Sequence, residues 1–242
     1  MEITVIFPAY NEEENIRQTV DRALAALRPR FERFEILIVD DCGSDATGKI
    51  ADELAGRHPE IRVLHNPRNL GAGASVLRGI RHARYALVTH NSMDYPFDLC
   101  DLDRMLPLLA ETDIVVAARK RRAGYTSYRK FISRVNIGLL HLLFPLRLSD
   151  YNFTQIYPKT YLDRVEVVST SAGFVTPELL IRAVDMGLRV EAVEIAYSPR
   201  LKGQATSGNP RIVLHSLADL LRFWWLRSRG GTKLVKPPVR PA

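Results

Sequence analysis

Two short stretches place carboxylates at the end of a hydrophobic, β-rich run, and the first of them adds an aromatic ring. They are FPAYNEEENI (residues 7–16) and IVDDCGSDAT (residues 38–47). A tyrosine ring can stack on a nucleobase, and an aspartate can accept a hydrogen bond from a base N–H group. Each loop alone fits the start of a helix equally well, since Asn, Ser and Asp are good caps and Glu opposes the helix dipole. The two loops together favour a nucleotide site.

A third loop, NPRNLGAGASVLRGI (residues 66–80), places a cation and two glycines at the start of a predicted helix. Arg68 precedes Gly71 and Gly73, where free backbone N–H groups and the helix dipole would both attract an anion. The glycine pair is not followed by the third glycine of a dinucleotide fingerprint, so its meaning depends on the loops beside it.

Short β-rich runs alternate with helical patterns through the first half of the chain, which is typical of a parallel sheet covered by helices. Ligands of such sheets bind beyond the carboxyl ends of the strands, and all three loops leave a strand at that edge. Predicted strands span residues 3–8, 35–40, 61–66, 85–90 and 113–118, and predicted helices span 12–27, 45–57, 72–83 and 98–110.

The second half of the chain is less regular. We predict an amphipathic helix at 131–144, a loop at 149–157, a helix at 177–187, a strand at 190–197 and a long helix at 210–228. Residues 1–228 are interpreted as a single domain, with a nucleotide-binding half (about 1–118) and an acceptor half (about 119–228). The Gly-, Pro- and Lys-rich residues 229–242 are expected to form a flexible basic tail.

The segment 119–134 contains seven basic residues and no acid. Unopposed positive charges repel one another, so a nearby anion would relieve that cost. A solvated basic surface is the alternative. The residues are Arg119, Lys120, Arg121, Arg122, Arg129, Lys130 and Arg134.

The series FPAYNEE, EILIVDDCGSDAT and RNLGAGAS, followed by a strand that ends at His90, resembles the family 2 inverting glycosyltransferases of the GT-A fold. It is most similar to the branch that includes dolichol-phosphate mannosyltransferase and bacterial polyprenyl-phosphate glycosyltransferases. The resemblance continues through residues 129–162, 174–200 and 203–223, and so covers nearly the whole chain up to about residue 228.

The resemblance implies an α/β GT-A sheet, a nucleotide-sugar donor linked to GDP or UDP, and a polyprenyl phosphate acceptor. The implied donor contacts are Pro8, Tyr10, Glu12, Asp40, Asp41, Arg68 and Gly71. The implied acceptor-phosphate contacts are Arg129, Lys130 and Arg134, with Arg200 and Lys202 as further basic candidates.

The sequence departs from the family pattern where the relatives carry Asp-x-Asp, whose carboxylates hold a divalent cation such as Mn²⁺ or Mg²⁺ against the donor diphosphate. Those positions fall on His90, Asn91 and Ser92. The literal Asp-x-Asp at residues 101–103 lies in a predicted helix, where residues i and i+2 face different directions, so we assign it to the surface.

Three interpretations of this departure stay open. A cation binds through His90 or Asp94, which suits Mn or Zn better than Mg because imidazole is the softer ligand. Alternatively, the leaving diphosphate is neutralised without metal by basic residues. Third, the site is inactive and the protein is a nucleotide-binding or scaffold partner. The candidates for the metal-free alternative are Arg68, Arg129, Arg134, Arg200 and Lys202.

A second departure lies in the loop after the amphipathic helix. Relatives carry an aromatic and a basic residue there, whereas this chain has Thr154 and Gln155. The Ser-Lys pair expected after Gly203 is likewise replaced by Ala205 and Thr206. These changes indicate an unusual donor or acceptor rather than a different fold.

The acceptor decides whether the reaction needs a general base. A lipid phosphate oxygen is already an anion at neutral pH, and the protein has only to position it and stabilise the leaving diphosphate. Arg129 and Arg134 would then be the catalytic residues, because they would position the phosphate and stabilise the leaving diphosphate. A sugar hydroxyl would need a carboxylate to take its proton, with Asp94 or Asp98 as the candidate. Single displacement inverts the anomeric centre in both cases.

Composition limits the remaining possibilities. The 242 residues carry a net charge of +7 with a pI near 9.6, which favours an anionic partner. The acidic loop tips at Asp40 and Asp41 argue against nucleic acid. The longest apolar stretch, residues 135–146, is shorter than the roughly 20 residues that cross a bilayer. Cys42 and Cys100 form no metal or disulfide spacing and are expected to be buried, in a reducing cytoplasm.

The last predicted helix carries apolar residues and two tryptophans with arginines close by. This pattern favours an interfacial helix on an anionic membrane surface. Packing on the sheet, or a contact in a homo-oligomer, is the alternative, and the helix at 131–144 has the same ambiguity. We therefore expect a peripheral protein at the cytoplasmic membrane face.

Overall fold

Seven strands and eight α-helices are present in the residues that the structure describes, which are 1–120, 127–196 and 209–230 of a computed structural model. The strands are β1 (Glu2–Ala9), β2 (Arg33–Asp40), β3 (Ile61–His65), β4 (Leu87–His90), β5 (Ile114–Arg119), β6 (Thr154–Pro158) and β7 (Val190–Ile195). The helices are α1 (Ile16–Leu27), α2 (Thr47–Arg57), α3 (Ala72–His82), α4 (Leu102–Met105), α5 (Ser127–Leu143), α6 (Lys159–Leu162), α7 (Val175–Asp185) and α8 (Pro210–Ser228).

The strands form one sheet in the order β3-β2-β1-β4-β6-β5-β7. All of them run in one direction except β6, which pairs antiparallel with both β4 and β5. The predicted α/β class with a mostly parallel sheet is confirmed. The carboxyl ends of β1, β2, β3 and β4 lie at one edge, and the three loops singled out in the sequence all leave the sheet there.

Helices cover both faces of the sheet because the strands alternate apolar side chains between two cores. In β2, Ile36 and Ile38 face the core that α1 and α2 cover. Leu37 and Val39 face the core that α3, α7 and α8 cover. The same alternation sends the side chains of the next two residues, Asp40 and Asp41, toward opposite faces at the end of the strand.

The predicted loop at 149–157 is wrong, because Thr154–Pro158 forms β6 in the middle of the sheet. The strand was hidden in the sequence because two of its buried residues, Thr154 and Gln155, are polar and break the hydrophobic run. Its insertion between β4 and β5 brings Gln155 next to the end of β4.

The continuous helix predicted at 98–110 is also wrong. This segment is a 3-10 turn (Leu99–Asp101), the four-residue α4 and a second 3-10 turn (Leu106–Ala110). Pro107 is the second residue of the last turn and has no N–H group to continue an α-helical ladder. Asp103 lies on the surface as predicted, where Arg30 binds both of its carboxylate oxygens at 2.9 and 2.7 Å.

Smaller differences concern element ends and the cysteines. The first helix begins at Ile16 rather than 12, since residues 12–15 form a turn in which Asn15 and Ile16 donate to the Glu12 carbonyl. The expectation that both cysteines are buried is wrong, because Cys42 and Cys100 are exposed in turns. No helix in the three described segments is long and apolar enough to cross a bilayer.

Two buried carboxylates hold four consecutive backbone N–H groups in the segment before α7. The N–H groups of residues 168 and 169 donate to Glu178 of α7 at 3.0 and 2.9 Å. Those of residues 170 and 171 donate to Asp219 of α8 at 3.0 and 2.9 Å. Residues 168–171 are therefore fixed by two helices at once.

The fixed segment touches the first turn of α3 at Gly73. A Cβ atom at Gly73 would lie 2.3 Å from the carbonyl oxygen of Thr170 and 2.7 Å from the carbonyl carbon of Ser171. Both are backbone atoms that Asp219 holds in place, so they cannot withdraw easily. Only glycine fits at position 73.

We therefore expect Gly73→Ala to destabilise the protein by about 1–3 kcal/mol, the range for overpacking a tight site. Gly56→Ala is the matched control, because Gly56 lies in α2 with no atom within 4 Å of its added Cβ. The control should be neutral or stabilising by up to about 1 kcal/mol, since alanine favours the helix. Urea denaturation measures both changes, and equal effects of the two substitutions would contradict the close approach.

Candidate functional site

Hydrogen bonds join the turn after β1 to the turn after β2. The Ser44 N–H donates to Asn11 Oδ1 at 2.8 Å, and the Glu12 N–H donates to Thr47 Oγ1 at 2.7 Å. Asn11 and Cys42 both adopt positive φ angles, 54° and 58°, which turn the two loops sharply at the sheet edge. The two turns therefore form one continuous surface.

Asp41 joins the turn after β2 to the loop after β3. Its Oδ1 accepts hydrogen bonds from the Asn66 side chain at 2.6 Å and from the Leu70 N–H at 2.8 Å. Its Oδ2 accepts from the Gly71 N–H at 2.8 Å. Asp41 is only 2% exposed. The carboxylate predicted to contact a nucleoside thus supports the glycine turn at the start of α3.

Asp40 contacts a histidine on the adjacent strand. His65 is the register partner of Asp40 in β3, and its Nδ1 lies 2.8 Å from Asp40 Oδ2. Its Nε2 lies 3.1 Å from Asp52 of α2. The hydrogen bond to Asp40 raises the pKa of His65, and the bond to Asp52 adds to this effect. The other oxygen, Asp40 Oδ1, is buried without a hydrogen-bond partner among the described residues.

The remaining predicted donor contacts lie around this surface. Pro8 is half-buried at the end of β1, and Tyr10 projects from the following turn with 48% of its surface exposed. The Glu12 carboxylate accepts from the Asn15 side chain at 2.7 Å. Gly71 caps α3 with φ 87°, and Arg68 is exposed, with no hydrogen bond or ion pair to any described residue.

The end of β4 presents a hydrogen-bonded pair of neutral side chains. His90 Nε2 lies 3.1 Å from Gln155 Oε1, and Gln155 Nε2 donates to the Tyr151 carbonyl at 2.9 Å. Burial lowers the pKa of His90 to about 4, against the raising effect of the Gln155 hydrogen bond. The imidazole is therefore uncharged at neutral pH.

The turn after His90 is held by its own polar groups. Asn91 is buried, with its amide donating to the Phe97 carbonyl at 2.8 Å and its Oδ1 accepting from the Ser92 N–H at 3.0 Å. Ser92 is exposed and Asp94 is 7% exposed. Asp98 accepts from the Cys100 N–H at 3.0 Å and so caps the following 3-10 turn.

The basic segment 119–134 is only partly unopposed, which corrects the expectation of seven free charges. Arg119 binds both carboxylate oxygens of the buried Asp150, with 2.5 Å between Arg119 Nε and Asp150 Oδ2. Lys120, Lys130 and Arg134 are exposed. Several predicted residues lie outside the described residues: Arg121, Arg122, Arg200, Lys202, Ala205, Thr206 and the side chain of Arg129.

Sequence reasoning missed two residues of this edge, His65 and Asn66. They stand at the end of β3, at the register position where Asp40 and Asp41 stand at the end of β2. Parallel pairing of the two strands was therefore the signal that could have found them. Gln155 was singled out as a departure from the family pattern, but its contact with His90 was not predicted, because its strand was not recognised.

Comparisons with known proteins agree with this architecture. The family model described as glycosyl transferase family 2 matches residues 4–174. The mannosyl-3-phosphoglycerate synthase from Rubrobacter xylanophilus has the same fold, with a TM-score of 0.73 at 18% identity over 97% of this chain and 77% of that one. The glucosyl-3-phosphoglycerate synthase from Mycobacterium tuberculosis, solved with Mn²⁺, UDP-glucose and phosphoglyceric acid, gives 0.69 at 18% identity over 93% and 80%.

Among curated proteins, the undecaprenyl-phosphate mannosyltransferase of Micrococcus luteus is 26% identical over 95% of this chain and 96% of its own length. The dolichyl-phosphate beta-glucosyltransferase ALG5C of Trichomonas vaginalis is 31% identical over 81% of this chain and 63% of its own length. Glycosyltransferase AglD of Haloferax volcanii is 28% identical over 93% of this chain, which spans 37% of that protein.

The matched region runs from residue 4, within β1, through β6, and it contains every hydrogen-bonded loop of the sheet edge described above. The resemblance inferred from the loop sequences and the GT-A fold are both confirmed. This chain is a glycosyltransferase that belongs to glycosyl transferase family 2.

Proposed function

We propose that the enzyme transfers a sugar from a nucleotide sugar to a polyprenyl phosphate, with inversion at the anomeric carbon. The observation that supports this most directly is the hydrogen-bonded union of the loops after β1, β2 and β3. It gathers Tyr10, Asp40 and Arg68 at one edge of the sheet. Relatives that match almost the whole chain have polyprenyl phosphates in their names.

A nucleoside diphosphate fits the chemistry of this edge. The exposed ring of Tyr10 offers a stacking face for a base. Asp40 Oδ1 is a buried acceptor without a partner among the described residues, which costs about 1–3 kcal/mol unless a ligand donor satisfies it. A base N–H is such a donor, and both guanine and uracil carry one. The exposed Arg68, which has no ion pair with a described residue, is suited to the phosphates.

The acceptor is proposed to bind beside α5. Lys130 and Arg134 lie one helical turn apart on this helix and are exposed. An acceptor phosphate held there would attack the anomeric carbon through one of its oxygens. The bond from that carbon to the donor diphosphate breaks, and its electron pair leaves on the diphosphate oxygen. No proton moves, so no general base is required, and the buried Asp94 is not needed for this step.

The acceptor is a lipid, and the protein surface has a corresponding apolar region. Among the residues that the structure describes, nine of the twelve exposed large hydrophobic side chains lie on α5 and α8. Only Phe223, Leu220 and Asp219 of α8 are buried, so its tryptophans face outward rather than into the core. We propose that these two helices rest on the cytoplasmic face of a membrane, beside the lipid acceptor. The exposed residues are Tyr128, Phe131, Val135, Leu142, Leu214, Leu217, Leu221, Trp224 and Trp225.

The direct test of the function is an assay of nucleotide sugars with a polyprenyl phosphate in detergent. Formation of a polyprenyl-phosphate sugar, followed by mass spectrometry, is the expected result. Transfer to soluble acceptors with no lipid product would instead support a different acceptor class.

Asp40→Asn should weaken binding of the productive nucleoside diphosphate roughly 10- to 100-fold. The reason is that a hydrogen bond to a charged acceptor is worth about 1.5–3 kcal/mol. Asp52→Asn is the matched control, because it removes the other carboxylate partner of His65 and leaves Asp40 intact. Isothermal titration calorimetry measures both. An equal loss of nucleotide affinity in the two variants would show that the hydrogen bonds of His65 determine the affinity, rather than a direct contact with Asp40.

Lys130→Ala combined with Arg134→Ala should lower kcat/KM for the polyprenyl phosphate by roughly 10- to 100-fold, through loss of charge-assisted contacts to the phosphate. Donor affinity should stay unchanged. Arg57→Ala is the control, because Arg57 is an exposed cation at the last turn of α2. An unchanged kcat/KM in the double variant would place the acceptor elsewhere.

Replacing Leu221, Trp224 and Trp225 together by serine should reduce binding to anionic vesicles at least about tenfold. Each apolar side chain removed contributes about 1.5–3 kcal/mol when it is buried in lipid. Cosedimentation with vesicles of phosphatidylcholine and phosphatidylglycerol measures the effect, and phosphatidylcholine alone tests the charge dependence. Tyr10→Ser removes a similarly exposed ring from the donor edge and should leave vesicle binding unchanged. Normal vesicle binding by the triple variant would exclude α8 as the contact.

A further inference from the structure

The two departures from the family pattern touch each other. His90 stands where the resemblance implies the first carboxylate of Asp-x-Asp, and Gln155 where it implies a basic residue. The structure brings His90 Nε2 within 3.1 Å of Gln155 Oε1. The two departures are 65 positions apart in the sequence, but their side chains are hydrogen-bonded neighbours in the structure.

The hydrogen-bond pattern fixes the state of this pair. Gln155 donates its amide N–H to the Tyr151 carbonyl, so its oxygen must face His90. His90 Nε2 therefore carries the proton and donates it, and Nδ1 keeps the lone pair. An acid and a base at these positions would form a charged pair, and replacing only one of them would leave a buried charge without a partner.

Three other carboxylates of the edge are used by the chain itself, and Asp40 contacts His65 through one of its oxygens. Asp41 holds three hydrogen bonds from donors of the chain. Glu13 Oε2 accepts from the Ala46 N–H at 2.9 Å. Asp45 accepts from the Thr47 hydroxyl and N–H; burial alone would raise the pKa of Asp45, but these bonds and one from the Glu13 N–H lower it.

The donor set does not fit a divalent cation. No group of three or more His, Cys, Asp or Glu side chains is placed to hold a metal ion in the described part of the chain. The remaining segments, 121–126, 197–208 and 231–242, contain none of these residue types. Mg²⁺ in nucleotide sites needs only one or two carboxylates beside the phosphates. Between residues 87 and 97 the sequence has one carboxylate, Asp94, and it is buried.

We infer that the enzyme binds its nucleotide donor without a divalent cation, and that the neutral His90–Gln155 pair replaces a charged, metal-dependent arrangement. This inference rests on the proposed function, because it concerns the donor of that reaction. The relative that was solved with Mn²⁺ and UDP-glucose shares the fold but only 18% of its residues.

Without a cation, basic side chains must meet the charge that the leaving diphosphate gains when its bond to the anomeric carbon breaks. Two exposed cations at this edge have no side-chain hydrogen bond or ion pair to a described residue. They are Arg68, in the loop after β3, and Lys120, directly after β5. A guanidinium and an ammonium are both suited to phosphate oxygens.

The test measures UDP and GDP binding to the wild-type protein by calorimetry in EDTA, in MgCl2 and in MnCl2. The affinity for the nucleotide that binds should change by less than about threefold among the three conditions. Arg68→Ala should weaken that binding at least about tenfold in EDTA, as loss of a charge-assisted contact predicts. Affinity that falls more than about tenfold in EDTA and returns with Mn²⁺ would overturn the inference while leaving the proposed function intact.

A gain-of-function variant gives a readout that does not depend on activity. His90→Asp combined with Ser92→Asp restores the carboxylate pair, and adding Gln155→Arg supplies a partner for the buried acid in case the first variant does not fold. Electron paramagnetic resonance should show more bound Mn²⁺ with a restored variant than in a protein-free mixture of Mn²⁺ and the same nucleotide, UDP or GDP, and no such excess with the wild type. His58→Asp, the same change at the end of α2, should bind none.

The outcomes separate the two proposals. Mn²⁺ binding by the wild type in the presence of nucleotide would overturn the metal-free inference alone. If neither UDP nor GDP binds in any condition, the proposed nucleotide-sugar donor is wrong. Both the proposed function and the metal-free inference would then fail. Folded variants with the restored carboxylates that still bind no Mn²⁺ would show that the change at position 90 is not what removed the metal.

Discussion

The carboxylate of Asp41 is the interaction on which the donor edge depends. It is almost completely buried and accepts three hydrogen bonds from the loop after β3. Those bonds set the direction in which Gly71 starts α3 and the position from which Arg68 projects. A buried charge with fewer donors would be costly, so the loop and the carboxylate stabilise each other. The geometry of the edge is therefore a property of the fold and exists before any ligand arrives.

Much of this edge could be predicted from the sequence because its loops follow short β-rich runs. The runs ending at Pro8 and Asp40 have the hydrophobic continuity of buried parallel strands, and the run ending at Asn66 is the partly buried outermost strand, so the positions of their loops followed from topology. The roles of individual carboxylates could not be derived in this way. Asp40 and Asp41 are adjacent in sequence, yet one faces His65 and the other faces Gly71, because successive side chains of a strand point to opposite sides.

The second half was harder to predict for a physical reason. β6 carries Thr154 and Gln155 at fully buried positions, and the polar side chain of Gln155 is tolerated there because His90 and the Tyr151 carbonyl satisfy it. His90 is 65 residues away in the sequence, so this contact leaves no local pattern. Arg119 shows the same limit, because its neutralisation by Asp150 is invisible in a segment that appears purely basic.

The contact between Gly73 and residues 170–171 has an evolutionary consequence. A side chain at position 73 requires the backbone of Thr170 and Ser171 to withdraw, and that withdrawal would break their bonds to Asp219. Positions 73 and 219, on helices far apart in the chain, therefore cannot drift independently. Homologues without glycine at position 73 should also differ at position 219. Such covariation would show that α8 and the donor loop constrain each other's sequence.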